Sequence, residues 1–178
     1  MFSDADYNVS QAKIGVGMTV ADIGAGIGAY AKAASKAVGV GGKVYAVEVQ
    51  KDLLGRLKSD CLKEGIRNVD FIWGDAEVIG GSQLRDETAD RVIVSNVLFV
   101  VEDKASLVKE VKRILKPHGM ALIVDWSESF GGIGPHRDHV VPREKAYQLF
   151  QDDGFEFVND INAGSHHYGF LMKKNDII

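Results

Sequence analysis

From Met18 onward the chain alternates two kinds of apolar pattern. The first is a short, mostly unbroken run, seen at residues 18–23, 43–48, 69–73, 89–95 and 120–124. Runs of that length, apolar on successive positions, predict strands buried between two layers. In the second pattern apolar residues recur every three or four positions. Residues 51–64 place Leu53, Leu54, Leu57, Cys61 and Leu62 on that period, and 104–115 place Leu107, Val108, Val111, Ile114 and Leu115 on one stripe, which predicts amphipathic helices. Residues 28–38, alanine-rich with Tyr30, Ala34 and Ala37 able to share a face, and residues 143–152 predict two more. Glycine and proline punctuate these segments at Gly39-Val40-Gly41-Gly42, Gly65, Pro117-His118-Gly119 and Gly154. Two last runs, 155–158 and 167–172, flank Asn162-Ala163-Gly164 with no helix between them, which predicts an antiparallel hairpin.

Buried strands joined through helices give right-handed crossovers and a parallel sheet. The expected fold is therefore α/β: a doubly wound, mostly parallel seven-stranded sheet with a C-terminal antiparallel hairpin and helices on both faces. With 178 residues, 46% of them apolar and no repeat or linker, the chain reads as one domain over 1–178, residues 1–17 forming a short N-terminal lid or helix. Lys and Arg number 21 against 25 Asp and Glu, a net charge of −4 with no long basic run, which speaks against a nucleic-acid partner. No apolar run approaches the roughly 20 residues that span a bilayer. The start, Met1-Phe2-Ser3-Asp4-Ala5-Asp6, lacks the pattern of a secretory signal, so a cytoplasmic location is expected. The lone Cys61 excludes an internal disulfide and a cysteine-based metal cluster.

The 20 glycines matter most where they concentrate, in Asp22-Ile23-Gly24-Ala25-Gly26-Ile27-Gly28. Ligands of open α/β sheets sit at the carboxyl ends of the strands, and this loop leaves the first strand there. Read loosely, Gly24-x-Gly26-x-x-Ala29 also satisfies the dinucleotide pattern. Asp22 narrows the choice, because its carboxylate would repel a pyrophosphate and attract a cationic amino-acid end. Glu48 ends the second strand, where an acid can accept both hydroxyls of a ribose. Asp75 ends the third and could accept from an adenine amino group, and Ser95-Asn96 ends the fourth. Each has a plainer alternative: Asp22 as a brace for the next helix, Glu48 as a solvated strand end, Asp75 and Asn96 as turn residues.

Together, Val20-Ala21-Asp22-Ile23-Gly24-Ala25-Gly26-Ile27-Gly28, Val47-Glu48, Gly74-Asp75-Ala76, Ser95-Asn96-Val97-Leu98 and Leu115-Lys116-Pro117-His118-Gly119-Met120 resemble the class I, seven-stranded S-adenosylmethionine-dependent methyltransferases. The resemblance covers almost all of residues 18–174 and is nearest to the small members that look like ubiquinone/menaquinone C-methylases. It implies S-adenosylmethionine as cofactor. Asp22, Gly24, Ala25, Gly26 and Gly28 would hold the methionine part, and Glu48 the ribose, with Val49 and Gln50 packing nearby. Asp75 and the backbone of Ala76 would bind the adenine, with Asn96 beside them. Ile27 departs from the family, many of whose members carry Thr or Ser there.

In-line methyl transfer needs a base only when the acceptor must lose a proton. The glycine-rich loop 125–139 leaves the fifth strand on the same side and carries His136 and His139, which titrate near neutrality and are the candidate bases. A solvated loop is the plainer reading of both. No metal is expected, because His136-Arg137-Asp138-His139 lacks an obvious further ligand. His166 and His167 open the last strand, so at most one of them faces the cleft. Trp73 and Trp126 read as packing residues. The expected function is methyl transfer to a small or lipid-like acceptor. The rivals are a nicotinamide-dependent oxidoreductase, which lacks a Tyr-x-x-x-Lys pair here, a non-catalytic cofactor-binding module, and an enzyme acting on protein or RNA. So little chain precedes the first strand that the substrate must be large, weakly held, or enclosed by a second subunit, which keeps a homodimer open.

Overall fold

The computed structural model describes residues 3–175; Met1, Phe2 and residues 176–178, the ends of the expected one-domain span, lie outside them. One seven-stranded sheet has the order β3-β2-β1-β4-β5-β7-β6. Strands β1 (Thr19–Ile23), β2 (Lys43–Glu48), β3 (Val69–Trp73), β4 (Ala89–Ser95) and β5 (Leu115–Trp126) run parallel. Strands β6 (Phe155–Ile161) and β7 (His167–Lys174) pair antiparallel, and β7 pairs antiparallel with β5. Helices α1 (Ala5–Gln11), α2 (Ala29–Val38) and α3 (Lys51–Lys63) cover one face, and α4 (Lys104–Ile114) and α5 (Arg143–Asp152) the other.

Alternation along each strand divides the core in two. Ala21, Ile23, Val92, Val94, Ala121 and Ile123 pack under α4 and α5, while Val20, Ile93, Leu122 and Val124 pack under α1, α2 and α3. Strand order reverses between β1 and β4, and the crevice at that point, beyond their carboxyl ends, is where such sheets hold ligands.

Some segments depart from the sequence pattern. Strand β5 starts at Leu115, five residues before the expected run. Pro117 has no N–H for the ladder and His118 sits at φ +60°, so the chain bulges: Leu115 pairs with Ala89, and pairing resumes only at Met120 with Arg91. On α3 only Leu57 and Cys61 are buried; Leu62 is 68% exposed, because one step of 100° carries it off the sheet-facing line. Helix α1 is tied to α2 by Asn8 Nδ2 donating to Tyr30 Oη at 2.7 Å. Gln11 clasps both backbone groups of Asn162 in the β6–β7 turn.

The β3–β4 connection is pinned by one buried acid. Glu110 of α4 accepts from the backbone N–H of Gly80 at 2.7 Å and of Ser82 at 3.1 Å, from Ser82 Oγ at 2.5 Å, and from both Nε and Nη2 of Arg113. Gln83 Nε2 then bonds Trp73 O and Asp75 N bonds Gly81 O, which fixes the 74–77 turn from behind. Burial alone would raise the Glu110 carboxyl, but the bonds from Arg113, Ser82 and the backbone outweigh it and bring it down to about 2. A carboxyl lowered by folding stabilises above its unfolded value near 4.5, and that contribution is lost as pH falls from there towards 2. Glu110→Gln is expected to cost about 2–3 kcal/mol in urea unfolding at pH 7 and to flatten the loss of stability below pH ~4.5. Loss of under ~0.5 kcal/mol would show that the network does not pin the turn.

Candidate functional site

The glycine loop folds inward on the end of β2. Gly24 N and Ala25 N both donate to Val47 O, at 2.9 and 3.0 Å, and Gly28 N donates to Ala25 O at 2.8 Å. Gly26 N donates to Glu48 Oε2 at 2.8 Å, and the other oxygen of that buried carboxylate accepts from Gln50 N at 2.8 Å. Glycine is required for packing as well as for turning: a Cβ on Gly24 would stand 2.5 Å from Val97 Cγ2, and one on Gly28 2.0 Å from Leu57 Cδ1, both at positive φ. The N–H groups of Gly24, Ala25, Gly26 and Gly28 are thus each bonded within the protein. A phosphate-cradling loop instead turns its N–H groups outward.

A cavity of about 360 Å³ opens beyond the ends of β1, β2, β3 and β4, within the range of small-molecule sites. Of the residues singled out from sequence, Gly24, Gly26, Glu48, Val49, Gln50, Asp75, Ala76 and Asn96 line it. Asp75 is exposed; its Oδ1 accepts from Glu77 N at 2.9 Å, an ordinary turn bond. Asp22, Ala25 and Gly28 do not line the cavity. Its apolar wall, Val97, Phe99, Val100 and Val101, comes from the turn after β4. Sequence reasoning missed what holds that wall. Asp125, fully buried at the end of β5, accepts from Leu98 N at 2.9 Å and Trp126 N at 2.8 Å, and from the backbone of Val97 and Phe99. Burial raises its carboxyl to about 6 against those bonds. The signal was present, an acid closing an apolar run as at Asp22 and Glu48.

Asp22 is 2% exposed and bonded to the backbone of Ala31 in the first turn of α2, while its Oδ2 has no partner. Burial, and to a lesser degree the nearby Glu48, raises the Asp22 carboxyl to about 8. The carboxyl is therefore largely protonated at neutral pH.

Across the mouth, Asn96 adopts φ +55° with its N–H on Val124 O at 2.8 Å. Its Oδ1 lies 3.1 Å from Nε2 of His167, whose ring is buried against Trp126 at 4.2 Å between centroids. Of the two adjacent histidines, His167 thus approaches the cavity and His166 turns outward, stacking on Phe130 at 3.9 Å and meeting Glu128 at 2.8 Å. The loop after β5 forms a small flap on which Phe130 and Ile133 pair through their backbones and remain exposed. His136 and His139 stand at its far end around a single 3-10 turn, Arg137–His139. The His136 side chain is 73% exposed, its ring 6.3 Å from that of His139, and neither residue lines the cavity. Trp73, expected in the packing, is 53% exposed with the Lys51 ammonium 3.7 Å over its ring. Among the described residues no group of three or more His, Cys, Asp or Glu is placed to hold a metal ion, and no helix is long and apolar enough to cross a membrane.

A family model described as a methyltransferase domain matches residues 21–123, more than half of the chain. The chain is 28% identical over 169 residues to the ubiquinone/menaquinone biosynthesis C-methyltransferase of Hahella chejuensis, covering 94% of this chain and 63% of that protein. It is 30% identical over 132 residues to the enzyme of the same name from Bordetella avium, covering 74% of this chain and 50% of that one. The chain therefore spans between half and two thirds of these relatives' length. Among solved structures it superposes on a SAM-dependent methyltransferase from Aquifex aeolicus with a TM-score of 0.88 at 26% identity, covering 97% of this chain and 90% of that one.

The raised Asp22 carboxyl has a measurable consequence. The folded protein binds a proton there that the unfolded chain releases above its ordinary value of 3.8, so this residue makes stability fall as pH rises from about 4 to about 8. Asp22→Asn is expected to remove that slope, raising Tm relative to wild type progressively towards pH 8. Parallel Tm–pH curves for the two proteins would contradict the burial of an unpaired carboxyl.

Proposed function

The chain belongs to the methyltransferase domain family, and on that premise we propose that its cavity holds S-adenosylmethionine and that it methylates a small, quinone-like acceptor. The inward-turned glycine loop carries this reading. With the N–H groups of Gly24, Ala25, Gly26 and Gly28 already bonded, the loop offers little to a pyrophosphate. What lies beneath is the Asp22 carboxyl, which keeps its proton at neutral pH and braces the loop through Ala31 of α2 outside the cavity lining. The remaining residues fit the same group. Each Glu48 oxygen accepts one backbone bond and keeps a lone pair for a ribose hydroxyl, and Asp75 and Ala76 stand where the adenine edge would fall. Gln50, Val49 and Asn96 complete the lining.

When bound, the cofactor supplies an electrophilic methyl group on a sulfonium. The chain's task is placement and exclusion of water. The apolar turn held by Asp125 walls one side, and the flap with its exposed Phe130 and Ile133 offers apolar surface for the acceptor. That acceptor class is supported by the relatives named for C-methylation in ubiquinone/menaquinone biosynthesis. His136 and His139 are given no proton transfer, since both stand outside the cavity. With a net charge of −4, a nucleic-acid acceptor is not part of the reading. A cytoplasmic setting is, and the free, buried thiol of Cys61 suits it.

Calorimetric titration with S-adenosylmethionine and S-adenosylhomocysteine, with NADH and NADPH as controls, tests the cofactor. Micromolar binding of the sulfur compounds alone is expected, weakened about tenfold or more by Glu48→Ala. Binding of a nicotinamide cofactor instead would falsify the reading. Release of S-adenosylhomocysteine on mixing the protein with S-adenosylmethionine and small hydroquinones tests the acceptor; binding without release across that panel would leave a cofactor-binding module.

A further inference from the structure

Asn96 directly follows β4 and faces the glycine loop across the cavity mouth, since β4 and β1 are neighbours in the sheet and Ile23, Gly24, Gly26 and Asn96 line one cavity. A primary amide carries an acceptor on one side and two donors on the other. Its Oδ1 meets His167 Nε2 at 3.1 Å, so the imidazole carries its proton on Nε2 and donates it. The amide N–H pair then points away from His167.

His167 is well placed to hold that orientation. Strand β7 brings it beside Trp126 in register, and the indole, 4.2 Å away, limits rotation of the ring. Its Nδ1 is buried without a partner. Burial, together with the neighbouring His166, lowers the pKa of His167, which keeps the ring neutral. A buried neutral imidazole whose one engaged nitrogen faces Asn96 has no other polar work in the fold.

The opposite wall shows why donors are wanted here. The N–H groups of Gly24, Ala25, Gly26 and Gly28 are all engaged within the protein. An amino-acid end docked against this loop finds those four N–H groups taken, so a side-chain donor on the facing wall adds to what its carboxylate can bind.

We propose that His167 is a positioning residue that locks the Asn96 amide with its N–H pair turned into the cavity, where it binds the carboxylate of the cofactor's amino-acid end. The proposal rests on the cofactor reading above and adds to it a residue outside the cavity lining.

The test is calorimetric titration with two probes, S-adenosylhomocysteine and 5′-methylthioadenosine, which has the same nucleoside but no amino-acid end. His167→Phe, which keeps the ring contact with Trp126, is expected to weaken S-adenosylhomocysteine about tenfold and to leave methylthioadenosine within about twofold. His167→Gln, whose amide can donate in the same direction, should recover most of the loss. Asn96→Ala should weaken S-adenosylhomocysteine as much as His167→Phe does, and the double variant should be no worse than Asn96→Ala alone. Unchanged S-adenosylhomocysteine affinity in His167→Phe would overturn the proposal. So would equal weakening of both probes, which marks general damage to the pocket, or additive losses in the double variant. A wild-type protein that binds neither probe would instead overturn the cofactor reading itself, and this proposal with it.

Discussion

The binding end of this molecule depends on the burial of Glu48 at the tip of β2. Its two oxygens hold Gly26 N and Gln50 N, and with Val47 O taking Gly24 N and Ala25 N they curl the glycine loop back onto the sheet. A carboxylate so placed is stabilised by the N–H groups it accepts. The same bonds take those groups away from any ligand. The loop therefore differs in chemistry from a phosphate cradle of similar sequence, although both need glycine for the turn. Beside it the Glu48 oxygens keep lone pairs on the cavity wall, suited to hydroxyl groups.

Other acids extend the same logic around the crevice. Asp125 gathers the backbone of Val97, Leu98, Phe99 and Trp126, and Glu110 gathers that of Gly80 and Ser82, so each cavity wall is pinned by a buried or nearly buried carboxylate. Asp22 is the exception: one of its oxygens is left orphaned, and the folded state keeps its proton to an unusually high pH. A polar group buried without a full set of partners costs stability, and the retained proton is how this site avoids the larger cost of a buried charge.

How much of this could be read from the sequence depends on whether a feature is local. The glycine loop, Glu48, and the Asp75-Ala76 turn are each a strand end followed by its own loop, so their place at one end of a parallel sheet follows from the alternation of elements. The partnership of Asn96 with His167 joins the turn after β4 to the start of β7, with β5 between those strands, and it depends on the β5–β7 register, which no local pattern encodes. Likewise, the early start of β5 arises from how Pro117 and His118 distort pairing with β4. His136 and His139 drew notice by residue type and by their place in the loop after β5, but neither lines the cavity. Leu62 shows the limit of periodicity: one position past buried Cys61, a turn of about 100°, its side chain reaches solvent.

The central claim is that one cavity, ordered by an inward-turned loop, receives a nucleoside and a charged amino-acid end in a fixed orientation. A crystal structure of the protein grown with S-adenosylhomocysteine tests it most directly. The account predicts ribose hydroxyls on Glu48, the adenine edge at Asp75 and Ala76, and the amino-acid end between the glycine loop and the Asn96 amide. A nucleoside seated in the reverse sense, or a glycine loop rebuilt with its N–H groups facing the ligand, would contradict it.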